Sequence, residues 1–154
     1  MKSENPVKHF ALAFLIAILV YFVAYTFIVH RRNRKGPWEV TFTNGPAGAP
    51  GILINQPTLQ ISNVEIIFAG NPATATNGSS TLVFSQPRQV PYEVPFGRCI
   101  FMDTTFLPGT VTFQFFGHEI ELLPRVLIID HQEHPWQSES KMTLTQKKTE
   151  GNEQ

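Results

Sequence analysis

VHRRNRKGPW, residues 29 to 38, separates two parts of the chain that differ in composition and in periodicity. A run of twenty residues without a charged side chain, 10–29, leads into it, and after it apolar and polar residues begin to alternate. An uncharged run of this length is typical of a transmembrane helix, whereas alternation is typical of half-buried β-strands. The stretch therefore predicts the junction between a membrane anchor and a β domain.

The uncharged run reads FALAFLIAILVYFVAYTFIV. A helix of twenty residues, rising about 1.5 Å per residue, covers the roughly 30 Å hydrocarbon core of a bilayer. The run ends in His30 and four basic residues instead of the small residues of a cleavage site, which argues against a secretory signal peptide. We therefore expect one transmembrane helix that is retained, with residues 1–9 as an N-terminal tail and residues 30–37 as a basic juxtamembrane linker.

Basic residues are more numerous after this helix than before it. The tail holds two lysines, Lys2 and Lys8. The linker holds the basic cluster, which consists of Arg31, Arg32, Arg34 and Lys35. Because flanks rich in Lys and Arg are retained in the cytoplasm, this balance favours a β domain on the cytoplasmic side, with an exported domain as the alternative. The basic cluster is expected to contact membrane lipids at the bilayer surface.

Three alanines of the predicted helix, Ala13, Ala17 and Ala24, fall on one side of it at 100° per residue. Small residues on one face allow a second helix to approach closely, so this face is a candidate for helix packing against another membrane protein. The alternative is that alanine is simply common in such helices.

Residues 38–136 show the two-residue period of strands, beginning with Trp38, Val40 and Phe42 on one face. About nine short strands separated by turns rich in Gly, Pro and Asn predict an all-β fold, an antiparallel β-sandwich or small barrel. Within it, VPYEVPF (residues 90–96) contains Pro91 and Pro95, whose missing amide hydrogens exclude a central strand. The segment is expected to be either an edge strand or an extended segment that lies across the sheet. The polar residues 137–154 are expected to be disordered.

The two parts of the chain carry opposite net charges. Through Lys35 there are six basic residues and one acidic residue, which gives +5, and residues 36–136 hold three arginines and eight acids, which gives −5. An acidic domain without a lysine is a poor match for nucleic acid, because binding the phosphate backbone requires clustered positive charge.

The residues with reactive or metal-binding side chains form no recognisable catalytic motif, so we expect no catalytic residue, no metal and no cofactor. His131 and His134 are three apart and would point to opposite faces of a strand, which favours a solvated turn over a metal site. His118 is expected to face inward at the rim of the sheet, and the single cysteine, Cys99, to be a buried thiol.

These features together predict a single-pass membrane protein whose β domain is a non-enzymatic interaction or accessory module. Its partners would be membrane lipids and another membrane or membrane-associated protein. The alternative is a membrane-anchored β-sandwich that binds a ligand, a carbohydrate or a metal, through its loops or through residues 130–136.

Overall fold

The computed structural model describes residues 6–45, 48–71 and 78–147. The chain divides into two compact units, Met1–Arg34 and Lys35–Gln154. The first unit contains one helix, α1 (Pro6–Arg32), and the described part of the second contains eleven strands. The strands are β1 (Trp38–Asn44), β2 (Pro50–Gln56), β3 (Ile61–Ala69), β4 (Ser80–Phe84), β5 (Tyr92–Val94), β6 (Gly97–Asp103), β7 (Thr110–Phe115), β8 (His118–Leu122), β9 (Val126–Ile129), β10 (Gln132–Pro135) and β11 (Lys141–Thr145).

Helix α1 is longer than the predicted residues 10–29 at both ends. It has 27 residues and begins at Pro6, a residue whose fixed φ and missing amide hydrogen suit the first turn of a helix. It ends in His30, Arg31 and Arg32, and positive charge is favourable at the C-terminal end of a helix. None of its residues is buried, and the helix is long and apolar enough to cross a membrane.

The eleven strands form two sheets. The first sheet has five strands in the order β11-β3-β2-β1-β4, and the second has six in the order β10-β9-β8-β7-β6-β5. All pairings are antiparallel in the described residues except that of β11 with β3, which is parallel. The predicted all-β fold with a preceding helix is confirmed, and a sandwich fits the two sheets.

The core of the sandwich is an aromatic layer between the two sheets. Phe115 of the second sheet packs edge-on against two rings of the first, with centroids 5.9 Å from Phe42 and 5.7 Å from Phe68. Beside them, Phe84 of the first sheet lies 5.3 Å from Phe113 of the second. Of these five rings, four are at most 2% exposed and the fifth, Phe84, is 3% exposed. Edge-to-face pairs of this kind add to the stabilisation from burial alone.

The expectation that residues 137–154 are disordered is wrong for the segment Lys141–Thr145. These residues form β11, which extends the first sheet by pairing with β3. Across this pair, Nζ of Lys141 lies 3.1 Å from Oε2 of Glu65. Met142 and Leu144 face the core. Their spacing is the alternation expected of a strand, but it covers only five residues, and the polar residues on both sides favoured the prediction of disorder. Residues 148–154 lie outside the described residues.

The segment with the two prolines is at an edge, as predicted. Its strand, β5, is the last in the second sheet, and among the described residues it pairs with β6 alone, from Tyr92 opposite Cys99 to Val94 opposite Gly97. Pro91 and Pro95 flank the strand on either side.

We predict that Phe115→Ala destabilises the sandwich by about 3–5 kcal/mol, because it removes a fully buried ring and leaves a cavity between the sheets. Phe101→Ala in the same sheet is the control, since Phe101 is 50% exposed and its loss should cost about 0.5 kcal/mol or less. Urea unfolding followed by tryptophan fluorescence measures both, because Trp38 and Trp136 both lie in the sandwich. Equal losses for the two variants would contradict this description of the core.

Candidate functional site

The structure places the basic cluster at the end of α1. Arg31 and Arg32 lie in the last helical turn, and Arg34 and Lys35 follow in the turn after it. Arg31, Arg34 and Lys35 are exposed. That these side chains contact a membrane surface stays a prediction, and their exposure leaves them available for it.

Gln56 fixes the segment that connects the basic cluster to the first strand. Its side chain is fully buried, and its Nε2 donates to the backbone carbonyls of residues 35–37 at 2.8, 2.9 and 3.2 Å. Its Oε1 accepts from the amides of Thr58 and Leu59. Buried polar groups that are fully hydrogen-bonded hold a segment in one geometry, so residues 35–37 belong to the sandwich and are not a flexible stalk.

Sequence reasoning missed the role of Gln56. The only local signal is that it precedes Pro57 and a single 3-10 turn, Pro57–Leu59, for which its side chain acts as the cap. A glutamine before a proline turn does not reveal a partner about twenty residues earlier in the chain.

The three alanines predicted to form a packing face, Ala13, Ala17 and Ala24, are all exposed on α1. Nearby, the rings of Tyr21 and Tyr25 stack with centroids 6.1 Å apart on the same helix. The helix-packing role of the alanine face stays a prediction.

The two histidines considered as metal ligands lie on a hairpin. Asp130 and His131 both have positive φ, 50° and 67°, and form the two-residue turn between β9 and β10, in which Gln132 pairs with Ile129. His131 is exposed, and His134 lies on β10 opposite Leu127. Within the described ranges, no group of three or more His, Cys, Asp or Glu side chains is placed to hold a metal ion.

His118 faces inward, as predicted, and connects three segments. It is 6% exposed, its Nδ1 lies 2.6 Å from Oδ2 of Asp130, and its Nε2 lies 2.9 Å from the carbonyl oxygen of Thr145. Because a carboxylate and a carbonyl only accept, both contacts are hydrogen bonds when each ring nitrogen carries a hydrogen. The ring thereby joins β8 to the β9–β10 turn and to the end of β11.

Asp130 is the charged centre of this arrangement. Its Oδ1 accepts from the Glu119 amide at 3.1 Å and lies 3.4 Å from Nζ of Lys147. Partial burial alone raises the pKa of Asp130, but the hydrogen bonds from His118 and Glu119, the positive field of His118 and the contact with Lys147 outweigh it and hold the pKa below its ordinary value. The geometry is that of a structural ion pair that fastens β11.

Cys99 is buried in β6, as predicted, and burial raises the pKa of its thiol. Its Sγ lies 3.4 Å from the carbonyl oxygen of Phe101. A buried thiol with a raised pKa has little thiolate at neutral pH, which makes a role as a nucleophile unfavourable. Burial likewise raises the pKa of Tyr92, whose hydroxyl lies 3.9 Å from Sδ of Met102.

A cavity of about 230 Å³ opens at the side of the sandwich where β4 and β5 are the outermost strands. Its lining includes Leu82 and Phe84 of β4, Tyr92 of β5 and Met102 of β6. Arg88 lies in the segment that crosses from one sheet to the other, with its guanidinium carbon 4.7 Å from the centroid of the Tyr92 ring. Sequence reasoning did not single out this site, because its residues come from three separate places in the chain, residues 82–88, Tyr92 and Met102.

Comparisons with protein-family models, with curated proteins and with solved structures found no match for this chain.

We predict that Asp130→Asn removes part of the acid sensitivity of the sandwich. Because the folded-state pKa of Asp130 is lowered, its ion pair stabilises the folded state above the ordinary carboxyl pKa of about 3.9, and this contribution is lost as the pH falls further. At pH 7 the variant should lose roughly 1–3 kcal/mol of unfolding free energy, typical of a hydrogen bond to a charged group.

Urea unfolding between pH 7 and pH 2 measures this difference, which should shrink as the pH falls. Glu133→Gln is the control, because Glu133 is exposed on β10 of the same hairpin. A wild-type stability advantage over Asp130→Asn that stays constant down to pH 2 would contradict the role of the Asp130 carboxylate.

Proposed function

We propose that this chain is a single-pass membrane protein whose β-sandwich is a non-enzymatic interaction or accessory module on the cytoplasmic side. The observation that supports it most is α1, whose central residues are apolar on every side while none of its residues is buried. A helix that is apolar all round needs an apolar environment, either a protein core or a bilayer. Because the sandwich has its own closed aromatic core, a bilayer is the better match for α1.

The cytoplasmic orientation rests on the basic cluster. Its four positive charges lie directly after the apolar part of α1, whereas Lys2 and Lys8 are the only basic side chains before it. Each basic residue near an anionic leaflet contributes about 1 kcal/mol to surface binding. The same side chains therefore serve two roles in the proposal, orienting the anchor and contacting lipid headgroups.

The proposed partner is another membrane or membrane-associated protein. Gln56 hydrogen-bonds the chain from residue 35 onward into the sandwich, so the domain begins where the basic cluster ends. Because no flexible linker separates the basic cluster from the domain, we expect the domain to contact molecules at the same membrane surface. Its net charge of −5 over residues 36–136 makes nucleic acid an unfavourable partner.

The second candidate function is binding of a small ligand. The cavity beside β4 combines an aromatic ring, a thioether and a guanidinium, which suits a mixed apolar and anionic group. Its volume of about 230 Å³ is below the roughly 300–1,000 Å³ typical of small-molecule sites. For this reason we rank a carbohydrate or other small ligand second.

We predict that a protease added outside sealed cells or spheroplasts leaves the sandwich intact and removes an epitope placed at the N-terminus. Replacing all four residues of the basic cluster with glutamine should weaken or invert this topology, because Lys2 and Lys8 then carry the larger flanking charge. Replacing Arg98 and Arg125, which lie far along the chain from α1, is the control and should change nothing. Digestion of the wild-type sandwich from outside would instead place it in an exported setting.

We also predict that the full chain, solubilised in a mild detergent after cross-linking in the membrane, co-purifies with a second membrane or membrane-associated protein in constant ratio. Mass spectrometry of the cross-linked peptides identifies the contact surface on the sandwich. Recovery of this chain alone, from membranes in which it is abundant, would contradict the role as an interaction module.

A further inference from the structure

In the described residues the two sheets end in four outermost strands, and β4 differs from the other three. An outermost strand offers unpaired amide and carbonyl groups to any extended chain, and proteins commonly block such edges with charges or prolines. Strand β5 is flanked by Pro91 and Pro95, β10 contains Glu133 and Pro135, and β11 begins with Lys141. Strand β4, with the sequence STLVF, has neither charge nor proline, and its Val83 is 53% exposed.

The free edge of β4 borders the cavity described above. Its volume of about 230 Å³ exceeds the roughly 150 Å³ of an apolar cavity that holds benzene. It is therefore large enough for one aromatic or branched side chain, while remaining small for an independent ligand. Leu82, Tyr92 and Met102 supply apolar contacts for such a side chain, and the polar residues Ser85 and Gln86 line the rest of the cavity together with Arg88.

Arg88 adds a charge preference to this site. Its guanidinium rests on the face of the Tyr92 ring, and in the described part of the chain it forms no ion pair. Stacking on an aromatic ring orients the planar group and leaves its N–H donors free for a carboxylate, which it can bind through two parallel hydrogen bonds. Within a domain of net charge −5, this is a local positive point that matches an acidic side chain.

We propose that the free edge of β4 accepts an extended segment of a partner protein as an added strand. One apolar side chain of that segment enters the cavity, and a neighbouring carboxylate pairs with Arg88. Backbone pairing supplies affinity in this mode of recognition, and the side-chain pocket supplies selectivity. The inference rests on the proposed interaction function and specifies the kind of partner segment that it requires.

The test uses the full chain in lipid nanodiscs and a phage-displayed library of linear ten-residue peptides, depleted first on empty nanodiscs. We expect enriched peptides in which apolar and polar residues alternate and an acidic residue stands near a large apolar one. A synthetic copy of the most enriched peptide should bind Arg88→Gln at least about tenfold more weakly than the wild type, the loss expected from a missing charge-assisted hydrogen bond. It should also bind Val83→Lys more weakly, because a lysine on an outermost strand discourages an added strand.

Thr143→Lys is the matched control, because it adds the same charge to an exposed position of another outermost strand, β11, and should leave peptide binding unchanged. Tryptophan fluorescence checks that each variant is folded, and Arg88→Gln tests the site without altering β4 itself. Enrichment of no peptide above the empty-nanodisc background, or equal binding to all variants, would overturn the proposal.

Two further outcomes also count against it. Self-association of the full chain that Val83→Lys abolishes would assign the β4 edge to a second copy. Retention of the cross-linked membrane partner by both Val83→Lys and Arg88→Gln would place the partner elsewhere on the sandwich, and it would leave the proposed interaction function standing while refuting this site.

Discussion

The packing of Phe115 between Phe42 and Phe68 is the contact on which the rest of the sandwich depends. It joins the centre of one sheet to strands at the centre of the other, so it sets how the two sheets lie over each other. The strand order makes β4 and β5 the last strands of their sheets, and residues of both line the cavity. The candidate binding edge therefore depends on the strand order as well as on the core.

Hydrogen bonds from buried polar side chains then attach the segments that the aromatic core does not reach. Gln56 holds the entry of the chain at residues 35–37, and His118 with Asp130 holds the end of β11. Because an unpaired buried polar group costs more than a single hydrogen bond contributes, each arrangement has one strongly preferred geometry.

The edges of the two sheets show how local sequence and function are related in this fold. Prolines and charges at β5, β10 and β11 discourage an added strand, whereas the apolar and uncharged β4 permits one. If α1 anchors the chain as proposed, the domain meets other chains at high local concentration on the membrane surface, and an unprotected edge is then open to them. Of the four outermost strands, β4 is the one without a charge or a proline, and this difference supports a binding role for β4 more strongly than the exposure of Val83 alone.

The sequence by itself determined the apolar helix, the β-sandwich class and the edge position of the strand with flanking prolines, because hydrophobic periodicity and proline chemistry act locally. The tertiary structure decided the parallel pairing of β11, the hydrogen bonds of Gln56 to residues 35–37 and the hydrogen bond between His118 and Asp130. Gln56 and Lys35 are 21 residues apart, and His118 and Thr145 are 27 apart. The spacing of polar side chains in a sequence does not indicate which residues they will bind. These contacts therefore form only when packing of the core brings distant segments together.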